Sequence, residues 1–219
     1  MMIAALYVET GGAYYGIPDV DPWDVARDAR LYAGPHPVVA HPPCARWGSM
    51  ANIVEAVHGY KRGDDGGCFA HALDSVRRFG GVLEHPAQSF AWRHFGLLRP
   101  SRGGGWSVAD DVGGWTCEVE QGAYGNPLRK RTWLYAAKCE LPSMLWGNRG
   151  GKRWGVGFMS QRDRARGMSR AEAFEARGDR LKTLPDTTSA SRAWVAATPP
   201  AFRDLLLDMA RSAKAPEGP

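Results

Sequence analysis

Three short apolar runs constrain this chain most. Each is cut off by glycine or proline, and each is followed at once by chemically active side chains. Residues 3–8 end in Glu9-Thr10-Gly11-Gly12, residues 37–40 end in His41-Pro42-Pro43-Cys44, and Val82-Leu83 runs into Glu84-His85-Pro86. Runs this short, bounded by turn residues, read as buried strands. Residues 66–79 have the helical pattern: Phe69, Leu73, Val76 and Phe79 recur on one face, with Asp64 or Asp65 near the start. Arg77-Arg78 falls in the last turn and Gly80-Gly81 stops it. The pattern further predicts a short helix over 88–95 and strands over 115–120 and 132–136. It predicts a loop with a short helical turn over 19–28 and a mobile loop over 50–67. Strands alternating with helices imply an α/β fold with an open, doubly wound, mostly parallel sheet. Ligands of such sheets sit at the carboxyl ends of the strands, so the three segments are expected to gather along one rim.

Composition sets the outer limits. The chain has 219 residues, 44% apolar and 23% charged, which suits one or two globular domains and excludes a wholly disordered chain. No apolar run reaches the roughly 18 residues of a membrane span, and no membrane partner is expected. The start, MMIAALYVETGG, has no basic region and reads as a strand rather than a signal peptide. None of the four cysteines, Cys44, Cys68, Cys117 and Cys139, forms a C-x-x-C pair. That argues against zinc, fits a reducing cytoplasm and leaves one of them as a candidate nucleophile. The nine tryptophans suit a deep core or a base-stacking surface.

The net charge of +5 is local. Residues 148–182 hold ten basic side chains against four acidic ones, an excess of six. Three parts are therefore expected: a core over 1–140, a small basic, loop-rich segment over 141–195, and a closing region over 196–219. The last is an amphipathic helix with Phe202, Leu205, Leu206 and Met209 on one face. Basic charge mixed with tryptophan suits phosphates and bases, or a solvated loop.

The chemistry centres on Cys44. Two φ-locked prolines present it rigidly, and Arg46 is expected to favour the thiolate, the reactive form. His41 and His85 flank the two key segments, as hydrogen-bonded structural histidines or as proton carriers. His41, Cys44 and His85 do not form a ligand pattern, so no metal is expected.

Pro42-Pro43-Cys44, then Glu84-His85-Pro86, then Tyr124-Gly125 with Arg129-Lys130-Arg131 before a strand, resemble the DNA (cytosine-5) methyltransferases in order and spacing. That family carries Pro-Pro-Cys, Glu-Asn-Val and Tyr-Gly…Gln-x-Arg-x-Arg segments. The first matches fully, the second through its glutamate, and the third without its glutamine. The resemblance covers roughly residues 3–136 and implies a Rossmann-like methyltransferase fold. It implies that Cys44 adds to C6 of a flipped pyrimidine and so activates C5. Glu84 would act at N3, Arg129 at O2, and Arg131 in support or on a phosphate. The cofactor it implies is S-adenosylmethionine, with contacts at Tyr7, Glu9, Thr10, Gly11, Gly12, Asp21 and Pro42. Glu9 stands where the family has its first cofactor glycine, and the stretch from Gly12 to Pro42 is short; Asp24 is an alternative to Asp21. DNA contacts are expected from Arg46, Arg149, Lys152, Arg153, Arg162 and Arg164. The partner is then DNA or a pyrimidine nucleotide, and the compact size suits a small genome such as a phage's. Two other readings use the same residues: a nucleic-acid-binding module that has lost its cofactor, and a C5 transferase acting on free nucleotides.

Overall fold

The computed structural model describes residues 1–48, 51, 55–56, 59–101, 103–126, 129–147, 153–155, 165–169, 172–173, 176, 179–181 and 197–214. Seven strands form one sheet: β1 (Ile3–Leu6), β2 (Val20–Trp23), β3 (Val38–Ala40), β4 (Gly81–Pro86), β5 (Ser107–Val108), β6 (Trp115–Glu120) and β7 (Arg131–Ala137). Their order across the sheet is β2-β1-β3-β4-β7-β6-β5. β8 (Arg153–Gly155) and β9 (Asp179–Leu181) pair in parallel as a second, two-stranded sheet.

The main sheet is mixed, which corrects the expectation of a mostly parallel one. β2, β1, β3 and β4 run parallel, whereas β4–β7, β7–β6 and β6–β5 are antiparallel. Connection length explains the change. Parallel neighbours need a crossover of a dozen or more residues, usually a helix. Residues 109–114 and 121–130 are too few, so these strands return beside their predecessors.

The period-2 alternation of each strand divides the core in two. Ala4, Leu6, Val38, Ala40, Leu83 and Trp133 face helix α1 (Cys68–Phe79), which buries Phe69, Ala72, Leu73 and Val76. Ile3, Ala5, Val39, Val82 and Leu134 face the closing helix, which buries Phe202, Leu206, Leu207, Met209 and Ala210. That helix spans Pro200–Arg211, and Pro200 at its start donates no backbone hydrogen bond where none is needed. It is labelled α3, after the short α2 (Phe90–His94). The α1 start is fixed by Asp65, whose carboxylate accepts the backbone N–H groups of Gly67 and Phe69. Gly81 follows the helix at φ 117°, where an added Cβ would lie 2.0 Å from the Val38 carbonyl oxygen. Only glycine allows β4 to close on β3 there.

Two further expectations change. Residues 20–23 are a strand, not a loop with a helical turn. β2 lies on the sheet edge, where Pro22 is tolerated because an edge strand has an unpaired side. Within 50–67, Ala51, Glu55 and Ala56 are helical. The connection from β1 to β2 contains turns and no helix. α3 covers the same face instead, and Arg203 donates to the Ala13 carbonyl at 3.0 Å. Among the described residues, no helix is long and apolar enough to cross a membrane.

Candidate active site

The carboxyl ends of β1, β3 and β4 open on one cavity of about 840 Å³. Tyr7, Val8 and Glu9 follow β1; His41, Pro42, Pro43 and Cys44 follow β3; Glu84 and Pro86 close β4. Ala13, Tyr14 and Lys130 line it as well, together with Ala197 and Thr198 just before α3. The three sequence segments therefore meet at one rim.

Cys44 sits on a pinned turn. Its carbonyl accepts the backbone N–H groups of Trp47 and Gly48, both at 3.0 Å. Trp47 is buried against Phe69, Phe90 and Phe95. Its indole N–H donates to Asp65 at 2.8 Å, which ties the turn to the α1 start. Cys44 as a residue is exposed, yet its sulfur lies far enough inside that burial pushes the thiol above its ordinary range. The Glu84 charge adds to that rise, while a backbone hydrogen bond and Lys130 oppose it. Arg46 does not hold the thiol down. Its guanidinium lies over the Tyr60 ring, 4.0 Å from the centroid.

Glu84 is buried and fully engaged. Gln121 Nε2 donates to Oε1 at 3.1 Å, and His41 Nδ1 lies 3.0 Å from Oε2. Burial alone would raise this carboxyl. The hydrogen bond and charge of His41, with Lys130 and His85, outweigh burial and bring it down to about 2. An ionised carboxylate accepts only, so His41 Nδ1 carries the proton. The other ring nitrogen, Nε2, is 2.8 Å from the Tyr14 hydroxyl. Gln121 is wholly buried and also donates to Thr132 at 3.0 Å, while its Oε1 has no donor among the described residues. An amide left half satisfied in this way is committed to holding Glu84.

His85 points to the opposite face of β4, into the α1 core beside Phe69 and Trp92. Burial lowers it to about 4, so it is neutral near pH 7. Among the described residues, neither ring nitrogen makes a hydrogen bond of good geometry, although the Pro43 carbonyl attracts its proton.

The basic run before β7 divides. Arg129 pairs with Glu120, its Nε donating at 2.9 Å, and Arg131 pairs with Glu118 at 2.9 Å through both Nε and Nη2. Neither lines the cavity; Lys130, between them, does. The run divides in the connection ahead of β7, where Lys130 has a left-handed φ of 34°. Tyr14 and Gln121 carry little sequence signal as site residues, whereas His41 flanks the Cys44 turn in sequence. Gln121 lies beside the Tyr-Gly segment, but its reach to Glu84 depends on the β6–β7 return.

Among the expected cofactor contacts, Tyr7, Glu9 and Pro42 line the cavity, whereas Thr10, Gly11, Gly12 and Asp21 do not. Asp21 pairs with Arg27 and accepts from the Trp23 indole. Asp24 accepts the hydroxyls of Thr10 and Tyr15, each at 2.6 Å, and two backbone N–H groups. These bonds hold its carboxyl down to about 2. An added Cβ on Gly12 would meet the Glu9 carbonyl oxygen at 2.9 Å, so glycine is needed for that turn itself. Arg149, Lys152, Arg162 and Arg164 lie outside the described residues, and Arg153 is placed only as backbone of β8. Among the described residues, no group of three His, Cys, Asp or Glu side chains is placed to hold a metal ion. No protein family, curated protein or solved structure matches this chain.

Proposed function

We propose that the protein is a cysteine-dependent enzyme that modifies C5 of a pyrimidine in DNA. The parallel half of its sheet acts as a Rossmann-like platform, and the basic segment after residue 141 serves DNA. One observation carries the reading: Cys44 and Glu84, forty residues apart in sequence, line the same open cavity. The cavity's size falls within the range of ordinary small-ligand pockets, so it suits a single base flipped out of its stack.

The chemistry balances with the groups present. The Cys44 thiolate forms an S–C6 bond. The C5=C6 pair moves to C4–C5, and the C4=N3 pair collects on N3, which takes a proton delivered through Glu84. The resulting enamine is nucleophilic at C5. It takes up an electrophile or a solvent proton there; the original C5 proton then leaves to water in the open cavity, N3 returns its proton through Glu84, and the C6–S bond breaks to restore the ring and the thiolate. Lys130 supplies positive charge at the cavity wall, the part first expected of Arg129.

S-adenosylmethionine is the donor that the resemblance implies. The corner between β1 and β2 does not fit its nucleoside in the implied arrangement. Asp24, which would have to take ribose hydroxyls, is already saturated by Thr10, Tyr15 and backbone, and Asp21 is paired with Arg27.

Exchange of the C5 hydrogen of cytosine for solvent deuterium needs no donor and tests the reading directly. Full-length protein is expected to exchange C5–H in a cytosine-containing oligonucleotide. It should also form a covalent adduct with DNA carrying 2-pyrimidinone, and Cys44→Ala should abolish both. If neither occurs with wild-type protein, the assignment is wrong.

A further inference from the structure

We infer that His41, held between Glu84 and Tyr14, stores the proton that Glu84 passes to the bound base. This rests on the proposed pyrimidine chemistry and deepens it. Glu84 is ionised at rest and has nothing to donate, yet charge collecting on N3 requires a proton. Among the described residues, His41 is an acid placed to supply it, with Nδ1 3.0 Å from Oε2. The Tyr14 hydroxyl at 2.8 Å suits either charge state of the ring. It accepts from Nε2–H in the cation and in the neutral ring left when Nδ1 gives up its proton, and donates to Nε2 in the neutral ring protonated on Nδ1. A neutral backbone acceptor at that place would favour one state only. Gln121 holds the other carboxylate oxygen, so the shared proton moves along the His41–Oε2 line.

As an imidazolium, His41 gives its Nδ1 proton to Glu84 and is left neutral with its remaining proton on Nε2, and Glu84 gives the transferred proton to N3 as the S–C6 bond forms. The ring recovers a proton from water in the open cavity. The charged and titratable groups around His41 are Glu84 and His85 of β4, Tyr14 of the 7–19 connection, Cys44 of its own loop and Lys130 ahead of β7. Arg203 and Asp204 of α3 act on Tyr14 from behind. His41 works through Glu84 and not on the base, so a pH profile separates this role from simple support.

C5 deuterium exchange on a cytosine oligonucleotide, followed against pH, is the test. Wild type is expected to show two ionisations, one of the Cys44 thiol and one of the His41–Glu84 pair. His41→Asn keeps an N–H donor toward Glu84 but cannot titrate. It is expected to lose the second ionisation, keep the first and slow exchange near pH 7 by about 100-fold. Tyr14→Phe, which keeps the ring, is expected to shift the second ionisation without removing it. A two-ionisation profile that survives intact in His41→Asn overturns the proton store and leaves the enzyme reading standing. Should His41→Asn fail to fold, an unmoved profile in Tyr14→Phe overturns it equally. Absence of exchange and of the 2-pyrimidinone adduct in wild type overturns both.

Discussion

The two ends of the strand rim are built from the same materials and finished differently. At β3 and β4 a carboxylate, Glu84, is buried, yet it faces a cavity beside a thiol. At β1 and β2 a carboxylate, Asp24, is also buried but is closed over by the protein's own hydroxyls. Both are held near 2, one chiefly by the His41 imidazole, the other chiefly by the hydroxyls of Thr10 and Tyr15. A shared direction of shift therefore does not mark a shared role. What separates the two is whether any side of the group still meets open space. The β3–β4 end is arranged for chemistry, and the β1–β2 end is arranged to hold a helix-free crossover in place.

Substitutions can break or sharpen that contrast. The largest effect is expected from Cys44→Ser, which should take C5 exchange below detection while leaving the thermal midpoint nearly unchanged. Glu84→Gln comes next. It should slow exchange by about 10²- to 10⁴-fold, and a smaller loss would mean that another group serves N3. Lys130→Ala should slow exchange more than Arg129→Ala does, at equal DNA concentration. The reverse order would return the base-holding role to Arg129. Asp24→Asn should lower the thermal midpoint, because the loop through Thr10 and Tyr15 loosens, with exchange little altered. Sites without shared partners act independently. Calorimetric titration of S-adenosylmethionine into the protein is expected to show no binding. A measurable heat would mean that the β1–β2 corner opens, and would remove the contrast.

The smallest effect is a slope in acid stability. His85 has its folded value lowered from about 6.5 to about 4 by burial, so its contribution is complete above 6.5 and lost as pH falls through 4. Glu84 and Asp24 lie below their ordinary carboxylate values, so their contributions go later, as pH falls toward 2. Denaturant midpoints measured from pH 7 to pH 2 should therefore decline in two stages. Replacing His85 with Phe should remove the first stage alone.

Local sequence determined β1, β3 and β4, marked β6 and β7 as strands, and determined both long helices. Apolar runs of four to six residues, glycine stops and the Phe69–Phe79 spacing are short-range properties, and the backbone obeys them. It also placed Cys44 and Glu84 at strand ends, since proline and glycine punctuation ends a strand wherever it occurs. The β2 strand escaped because Asp21 and Pro22 disguise an edge, where half of the backbone needs no partner. The antiparallel half, the split of Arg129-Lys130-Arg131 and the Tyr14–His41–Glu84–Gln121 chain were decided only by the tertiary structure. Each depends on pairing between distant segments, and which side of a strand a residue shows is fixed by its neighbour's register rather than by its own sequence. The same is true of Asp24: its carboxylate is spoken for only because the chain returns Thr10 and Tyr15 to it.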